Sequence, residues 1–420
     1  MNLPPEHRLR AELNYEVHAR PPDALAAPSR VSYIALLRGD APRQAAWQHM
    51  RTLALRFGAP PPAEGASHWS AELGTFRIRW EQHTEFHRVM FIRDGVPGRP
   101  FSDPAIDAVP ADWVATLPGE LLVAAELELR LDDHFSSEAF GIAHLIGSKI
   151  GSGGQAFTDF RISGDGFSRF LMLAGEMAPP IAGHNAQRLL EIDTYRMMAL
   201  LALPVARALA PNLTRWEQEL AEVAAALTRA GPSDEPGLLN RLTGLASEIE
   251  SQEAATRYRF SAAAAYYALV QRRIAELREE RIEGLQTFQE FTERRLAPAM
   301  DTCQSSTARQ EALSRRVQRV TQLLQTRVDI TREAQNGAVL LSMNRRAAAQ
   351  LRLQQTVEGL SVAAITYYIV GIWGYAAKAL APRWGMNPDV LIASAIPVAA
   401  VFVIWGLRRA RARMKLKDDD

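Results

Sequence analysis

The hydrophobic pattern changes period along the chain: it alternates, then cycles every three to four residues, and finally becomes continuously apolar. Arg30 to Leu37 (RVSYIALL) reads as a strand, and Pro42 to Phe57 as a helix. Phe76, Ile78 and Trp80 alternate with Arg77, Arg79 and Glu81, and Thr84 to Arg93 follows after a short turn, which predicts an antiparallel hairpin. Leu127, Leu129 and Leu131 alternate against Glu126, Glu128 and Arg130. Phe157 to Ile162 and Phe167 to Leu173 flank the turn Ser163-Gly164-Asp165-Gly166. Glycine and proline punctuate this half, as tight connections require. The expectation is an α+β chain whose residues 1–180 form a mixed α/β domain around a mostly antiparallel sheet.

Residues 181–358 have a helical period. Gln187 to Ala208, Leu213 to Arg229, Leu238 to Leu296 and Thr302 to Gln355 read as helices, with breaks near Pro204, Gly231-Pro232, Pro236-Gly237 and Pro298. Leu313, Val317, Val320 and Leu324 are spaced four, three, four, a coiled-coil-like packing seam. Only Gly337 and Gly359 weaken the helix from Ala299 to Leu360. The expected result is a stalk on the order of 100 Å long at 1.5 Å per residue, with the preceding helix antiparallel beside it.

Two apolar runs follow, within residues 359–410. Leu360 to Ala377 and Val390 to Leu407 each hold 18 residues without a charge, roughly 27 Å of helix and close to the hydrocarbon thickness of a bilayer. Arg345, Arg346 and Arg352 precede the first run. Arg408, Arg409, Arg411, Arg413, Lys415 and Lys417 follow the second, and the loop between them has only Lys378 and Arg383 as bases. This asymmetry predicts a transmembrane hairpin with both termini cytoplasmic and a short basic-then-acidic tail over residues 411–420. Pro397 inside the second run is tolerable in lipid. Met1 to Pro22 lacks the apolar core of a signal peptide, which also leaves the bulk of the chain on the cytoplasmic side.

Composition narrows the chemistry. The 48 Lys and Arg residues balance 47 Asp and Glu, so no basic excess points to nucleic acid. Cys303 is the single cysteine, which excludes an internal disulfide and a cysteine-based metal cluster. It lies near Arg294 and Arg295, yet no histidine is close in sequence, so it reads as an inert helical residue. His83 and His87 bracket Glu85 on a strand pattern, unlike a zinc-protease helix, and read as solvated strand residues. Gly147 to Gly154 (GSKIGSGG) holds Lys149 but lacks a P-loop ending, so it reads as a flexible turn. Asp132, Asp133, Asp159 and Asp165 have the positions of turn residues. No catalytic constellation emerges, no cofactor is implied, and the sequence makes no case for an enzyme. Ser361, Ala364, Tyr368, Gly371, Tyr375 and Lys378 share a small, polar face of the first span, opposite Ile365, Ile369 and Ile372. Such a face belongs either to helix packing or to a conducting path.

Two resemblances add to this. LNYEVHARPP (Leu13 to Pro22), TDFRISGDGFSRFL (Thr158 to Leu171), QRLLEIDTYRMMALLALPVAR (Gln187 to Arg207), RFSAAAAYYALVQRRI (Arg259 to Ile274), RRLAPAMDTC (Arg294 to Cys303) and LRLQQTVEGLSVAAITYY (Leu351 to Tyr368) resemble a proteobacterial family of uncharacterised membrane-anchored proteins, a domain of unknown function. The order of α/β domain, long helices, stalk, two spans and basic tail is similar to the CorA-type magnesium transporters. That resemblance implies a homopentamer in the bacterial inner membrane, a first span lining the pore, and Mg2+ as the transported or regulatory ion. CorA-type proteins carry Gly-Met-Asn at the outer end of the first span. Here Gly371-Ile372-Trp373-Gly374 is followed by Tyr375 and Ala376, and Gly385-Met386-Asn387 occurs after Trp384 in the outer loop. The triplet is either a displaced selectivity signature or a turn ending in Asn-Pro. A tethered scaffold that transports nothing is the other functional reading.

Overall fold

A computed structural model describes residues 4–11, 13–14, 23–131, 140, 145–384 and 387–415. Contacts divide the chain into two units. Met1–Arg229 with Pro236–Thr321 forms the first, and Ala230–Glu235 with Gln322–Asp420 the second. The strands are β1 (Ser29–Leu37), β2 (His68–Leu73), β3 (Phe76–Gln82), β4 (Phe86–Asp94), β5 (Glu120–Arg130), β6 (Ile146–Ile150), β7 (Gly154–Thr158), β8 (Ser168–Leu173) and β9 (Glu280–Arg281). The helices are α1 (Arg43–Arg56), α2 (Ala111–Val114), α3 (Pro179–Leu200), α4 (Ala202–Leu227), α5 (Glu235–Leu277), α6 (Phe288–Arg295), α7 (Ala297–Trp384) and α8 (Pro388–Lys415).

All nine strands form one sheet in the order β2-β3-β4-β1-β5-β8-β7-β6-β9. Every pairing is antiparallel except β5 with β8. Period-two alternation then sorts the side chains to two faces. Ile34, Leu36, Ile78, Trp80, Val89 and Phe91 lie on one face and pack against Met50, Leu53 and Ala54 of α1 and Trp113 of α2. The opposite face carries Val31, Tyr33, Arg79, Arg88 and Leu127, and α3 covers it. Gly183 permits that close approach: a Cβ there would stand 1.7 Å from the Asp23 carbonyl oxygen. Leu25 N–H donates to the Pro179 carbonyl at 3.0 Å, fixing the start of α3.

Beyond the sheet, α4 buries Ala206, Leu209, Leu213, Trp216, Leu220 and Val223 at helical spacing. Arg309 of α7 bonds to Glu217 of α4 at 2.8 Å, and Arg215 of α4 to Glu248 of α5 at 2.8 Å. The expected seam is present: Leu313, Val317 and Leu324 are buried and Val320 is half-buried.

Several expectations need correction. The helix read over Leu238 to Leu296 stops at Leu277, where Arg278 adopts φ 48° and Glu280–Arg281 pairs with β6. Glu279 then accepts from the N–H groups of Phe288 (2.9 Å) and Gln289 (2.8 Å), and Thr287 with Glu290 forms a capping box that starts α6. The strand read over Phe157 to Ile162 ends at Thr158, whose hydroxyl accepts from Phe160 N–H at 3.1 Å. Gly147 to Gly154 is mostly the β6–β7 hairpin rather than a free turn. The break expected at Pro204 falls at Leu201, and Pro204 and Pro211 both lie inside α4.

Gly183→Ala is expected to lower unfolding stability by about 1–3 kcal/mol, because added volume meets backbone rather than a movable side chain. Chemical denaturation of the purified protein checks this, and an unchanged midpoint would mean α3 does not sit this close to Asp23.

Candidate functional site

Three helices are long and apolar enough to cross a membrane by length and composition: Pro179–Leu227, Ala297–Ala381 and Pro388–Arg409. The first comprises α3 and α4, which pack within the sheet unit. The other two meet in a hairpin. Within it, Ala377 and Ala381 of α7 are buried, as are Ala399 and Val403 of α8. Ile392 lies 3.6 Å from where a Cβ on Gly374 would be. Small residues therefore let the two helices approach, as packing in lipid favours.

That seam does not use the small, polar face read from the sequence. At 100° per residue, the line through Thr366, Val370, Gly374 and Ala377 lies about 140° around α7 from Ala364, Tyr368, Gly371 and Tyr375. Tyr368 and Tyr375 are 69% and 83% exposed, and nothing lies within 4 Å of a Cβ on Gly371. Ser361 donates to the Val357 carbonyl at 2.9 Å. Between α7 and α8, Gly385 and Met386 lie outside the described residues. Asn387 caps α8: its Oδ1 accepts from Asp389 N–H at 3.0 Å, with Pro388 opening the helix.

A second concentration of polar chemistry is buried in the sheet unit. Arg88 on β4 donates to Glu81 Oε2 from Nε (2.9 Å) and Nη2 (2.6 Å), and to Glu191 Oε1 on α3 from Nη1 (2.9 Å). Arg79 bonds the other oxygen of Glu81 at 2.7 Å and reaches Asp23 at 3.2 Å. Arg273 of α5 bonds Glu191 Oε2 and, at 2.8 Å, Glu276. Burial pushes the Glu81 carboxyl up, but Arg88 and Arg79 outweigh it and hold the group down at about 2. Glu191 is likewise lowered, with burial opposed by Arg88 and Arg273. The alternation of β3 placed Arg79 and Glu81 on a polar face without revealing that α3 covers it. The readable signal was Glu191 and Asp193 inside the apolar run of α3; Asp193 accepts from Ser168 of β8 at 2.9 Å.

On the other face Glu126 is 4% exposed. Ser32 donates to its Oε2 at 2.9 Å, and its Oε1 has no hydrogen-bond partner among the described residues. Burial pushes its carboxyl up to about 8 against the Ser32 hydrogen bond, with Asp107, Asp165 and Glu128 adding to the rise.

The remaining sequence candidates fall into place individually. His87 is buried rather than solvated; it packs under the Pro118 segment, with Nε2 2.7 Å from that carbonyl, and burial lowers its pKa. His83 stacks on Phe86 at 4.4 Å. Lys149 is exposed on β6. Asp159 and Asp165 accept from Arg161 and Phe167 N–H groups within their turns, at 3.0 and 3.1 Å. Asp132 and Asp133 lie outside the described residues. Cys303 is buried, and burial raises its pKa. Among the described residues no three His, Cys, Asp or Glu side chains gather as a metal site.

The family described as "Protein of unknown function (DUF3422)" matches residues 5–414, and the chain belongs to it. No curated protein and no solved structure matches the chain.

Two predictions come from the buried carboxylates. Arg88→Met is expected to cost about 3–5 kcal/mol in chemical denaturation, since it uncovers two buried acids at once. A loss below about 1 kcal/mol would mean that water reaches them. Glu126 keeps its proton in the folded chain up to about pH 8, whereas an unfolded glutamate loses it near 4.5. Its stability contribution is thus full below 4.5 and declines as pH rises to 8. Glu126→Gln should therefore unfold with the wild type near pH 4.5 and become more stable by several kcal/mol at pH 8. Parallel pH profiles would refute this.

Proposed function

We propose that the chain is a homo-oligomeric inner-membrane protein of CorA-type organisation, with both termini cytoplasmic, whose first span lines a path for a divalent cation such as magnesium. The observation that carries the reading is the open face of α7. α8 covers the opposite side, leaving Ala364, Tyr368, Gly371 and Tyr375 uncovered within a single chain. Neighbouring copies are the natural cover for such a face, since small and polar groups in lipid collect where helices or water meet. Further support comes from α7 before the span. Leu323, Ile330, Leu340, Leu341, Leu351 and Leu353 are exposed there, an apolar surface of the kind that self-association buries. The path contains hydroxyls and small residues but no carboxylate. That suits an ion which keeps much of its hydration shell and meets oxygen ligands.

The rival reading, a tethered scaffold without transport, draws on Asn387. Its side chain caps α8, so helix-start chemistry accounts for the Asn-Pro pair without a selectivity role.

Native mass and flux separate the two. The detergent-purified protein is expected to be a higher oligomer, with a pentamer the expected state, and to admit Mg2+ into proteoliposomes. Gly371→Leu fits a single chain, where the site is open, but would obstruct a path between copies. Uptake should fall steeply in Gly371→Leu and also in Asn387→Ala. A monomer or dimer, or no uptake by the wild type, leaves only the tether. Wild-type uptake by Asn387→Ala alone would remove the loop triplet from the mechanism.

A further inference from the structure

We propose that the N-terminal end of α1 is a binding site for inorganic phosphate. The site is separate from the membrane hairpin and does not depend on the transport reading.

The helix end comes first. α1 is 14 residues long and begins behind Pro42. No side chain caps it, and its first turn holds no acid. Its leading N–H groups and the positive end of its dipole are therefore available to an anion. Arg38 and Arg43 stand at the same place, and neither has a carboxylate partner among the described residues. Together with His83, His87 and Pro118 they line a notch of about 10 Å3. That volume admits about one oxygen-sized atom. One oxygen of a phosphate would seat there, with the rest of the group at the mouth beside the two guanidiniums.

The second observation is independent of the helix. His87 is only 3% exposed, and among the described residues its Nδ1 has no hydrogen-bond partner. Its Nε2 lies 2.7 Å from the Pro118 carbonyl, which can only accept, so Nε2 carries the ring proton. Nδ1 of the neutral ring is then an acceptor, on a residue that lines the notch together with Arg38 and Arg43. A ligand that satisfies every group needs acceptor oxygens for the arginines and the helix end, plus one hydroxyl to donate to Nδ1. Inorganic phosphate near neutral pH carries such a proton, whereas sulfate and the dianion of a phosphomonoester do not. The site should therefore distinguish two oxyanions of nearly equal size.

The test uses the full chain in detergent, titrated calorimetrically with inorganic phosphate, glycerol 3-phosphate and sulfate at matched ionic strength. The wild type is expected to bind inorganic phosphate at one site per chain, with at least about tenfold preference over sulfate and over glycerol 3-phosphate, roughly 1.4 kcal/mol. Arg38→Gln with Arg43→Gln, at partly exposed positions, should weaken binding by about tenfold or more while leaving the melting temperature without ligand unchanged. Absence of inorganic phosphate binding, equal affinity for sulfate or glycerol 3-phosphate, or undiminished binding by the double variant would each overturn the proposal.

Discussion

The buried guanidinium of Arg88 is the constraint on which the first unit depends. A cation this deep is tolerable only when carboxylates surround it, and the two that do so come from different layers. Glu81 belongs to the neighbouring strand and Glu191 to the helix above. Sheet and helix therefore cannot slide against each other by one residue without stranding a charge. Arg79 with Asp23 and Arg273 with Glu276 extend the constraint to the N-terminal segment and to α5. Apolar packing would hold these layers together equally well, but it would not specify their register so narrowly.

Much of this was legible from the sequence. The β1, β3, β4, β5 and β8 strands and the α1 helix follow from alternation or helical spacing, and the apolar runs of α7 and α8 from the absence of charge. What escaped was set by distant partners. β2 (HWSAEL) has too short an apolar pattern to stand out, and it exists because β3 offers it an edge. Glu280–Arg281 looks like helix and becomes a strand because β6 accepts it, while Glu279 turns to cap α6. His87 reads as solvated because nothing local announces that Pro118 lies over it. Alternation identified a polar face on β3, but the burial of that face depends on α3, about a hundred residues further on.

The α7–α8 hairpin teaches a related lesson. One face of α7 was visible as small and polar, and sequence alone offered packing or a path as its purpose. The partner helix settles on a different stripe, centred on Gly374 and Ala377, where glycine and alanine allow contact. The two small-residue stripes of α7 thus separate: one is occupied within the chain and the other is free. Asn387 shows the reverse case, a residue with a suggestive neighbourhood whose observed role is to start a helix.

The sheet's outermost strand, β9, has a consequence for the order of synthesis. β1 leaves the ribosome early, but the last strand is encoded at residues 280–281, after the whole of α5. The helix that completes the first unit then reaches Thr321, not far before the apolar run beginning at Leu360. The nascent sheet therefore keeps an unpaired edge until shortly before the apolar run itself emerges. Completion of the sheet and emergence of the apolar hairpin thus fall in one narrow interval of translation. A pause or a targeting delay there would expose that edge to other nascent chains.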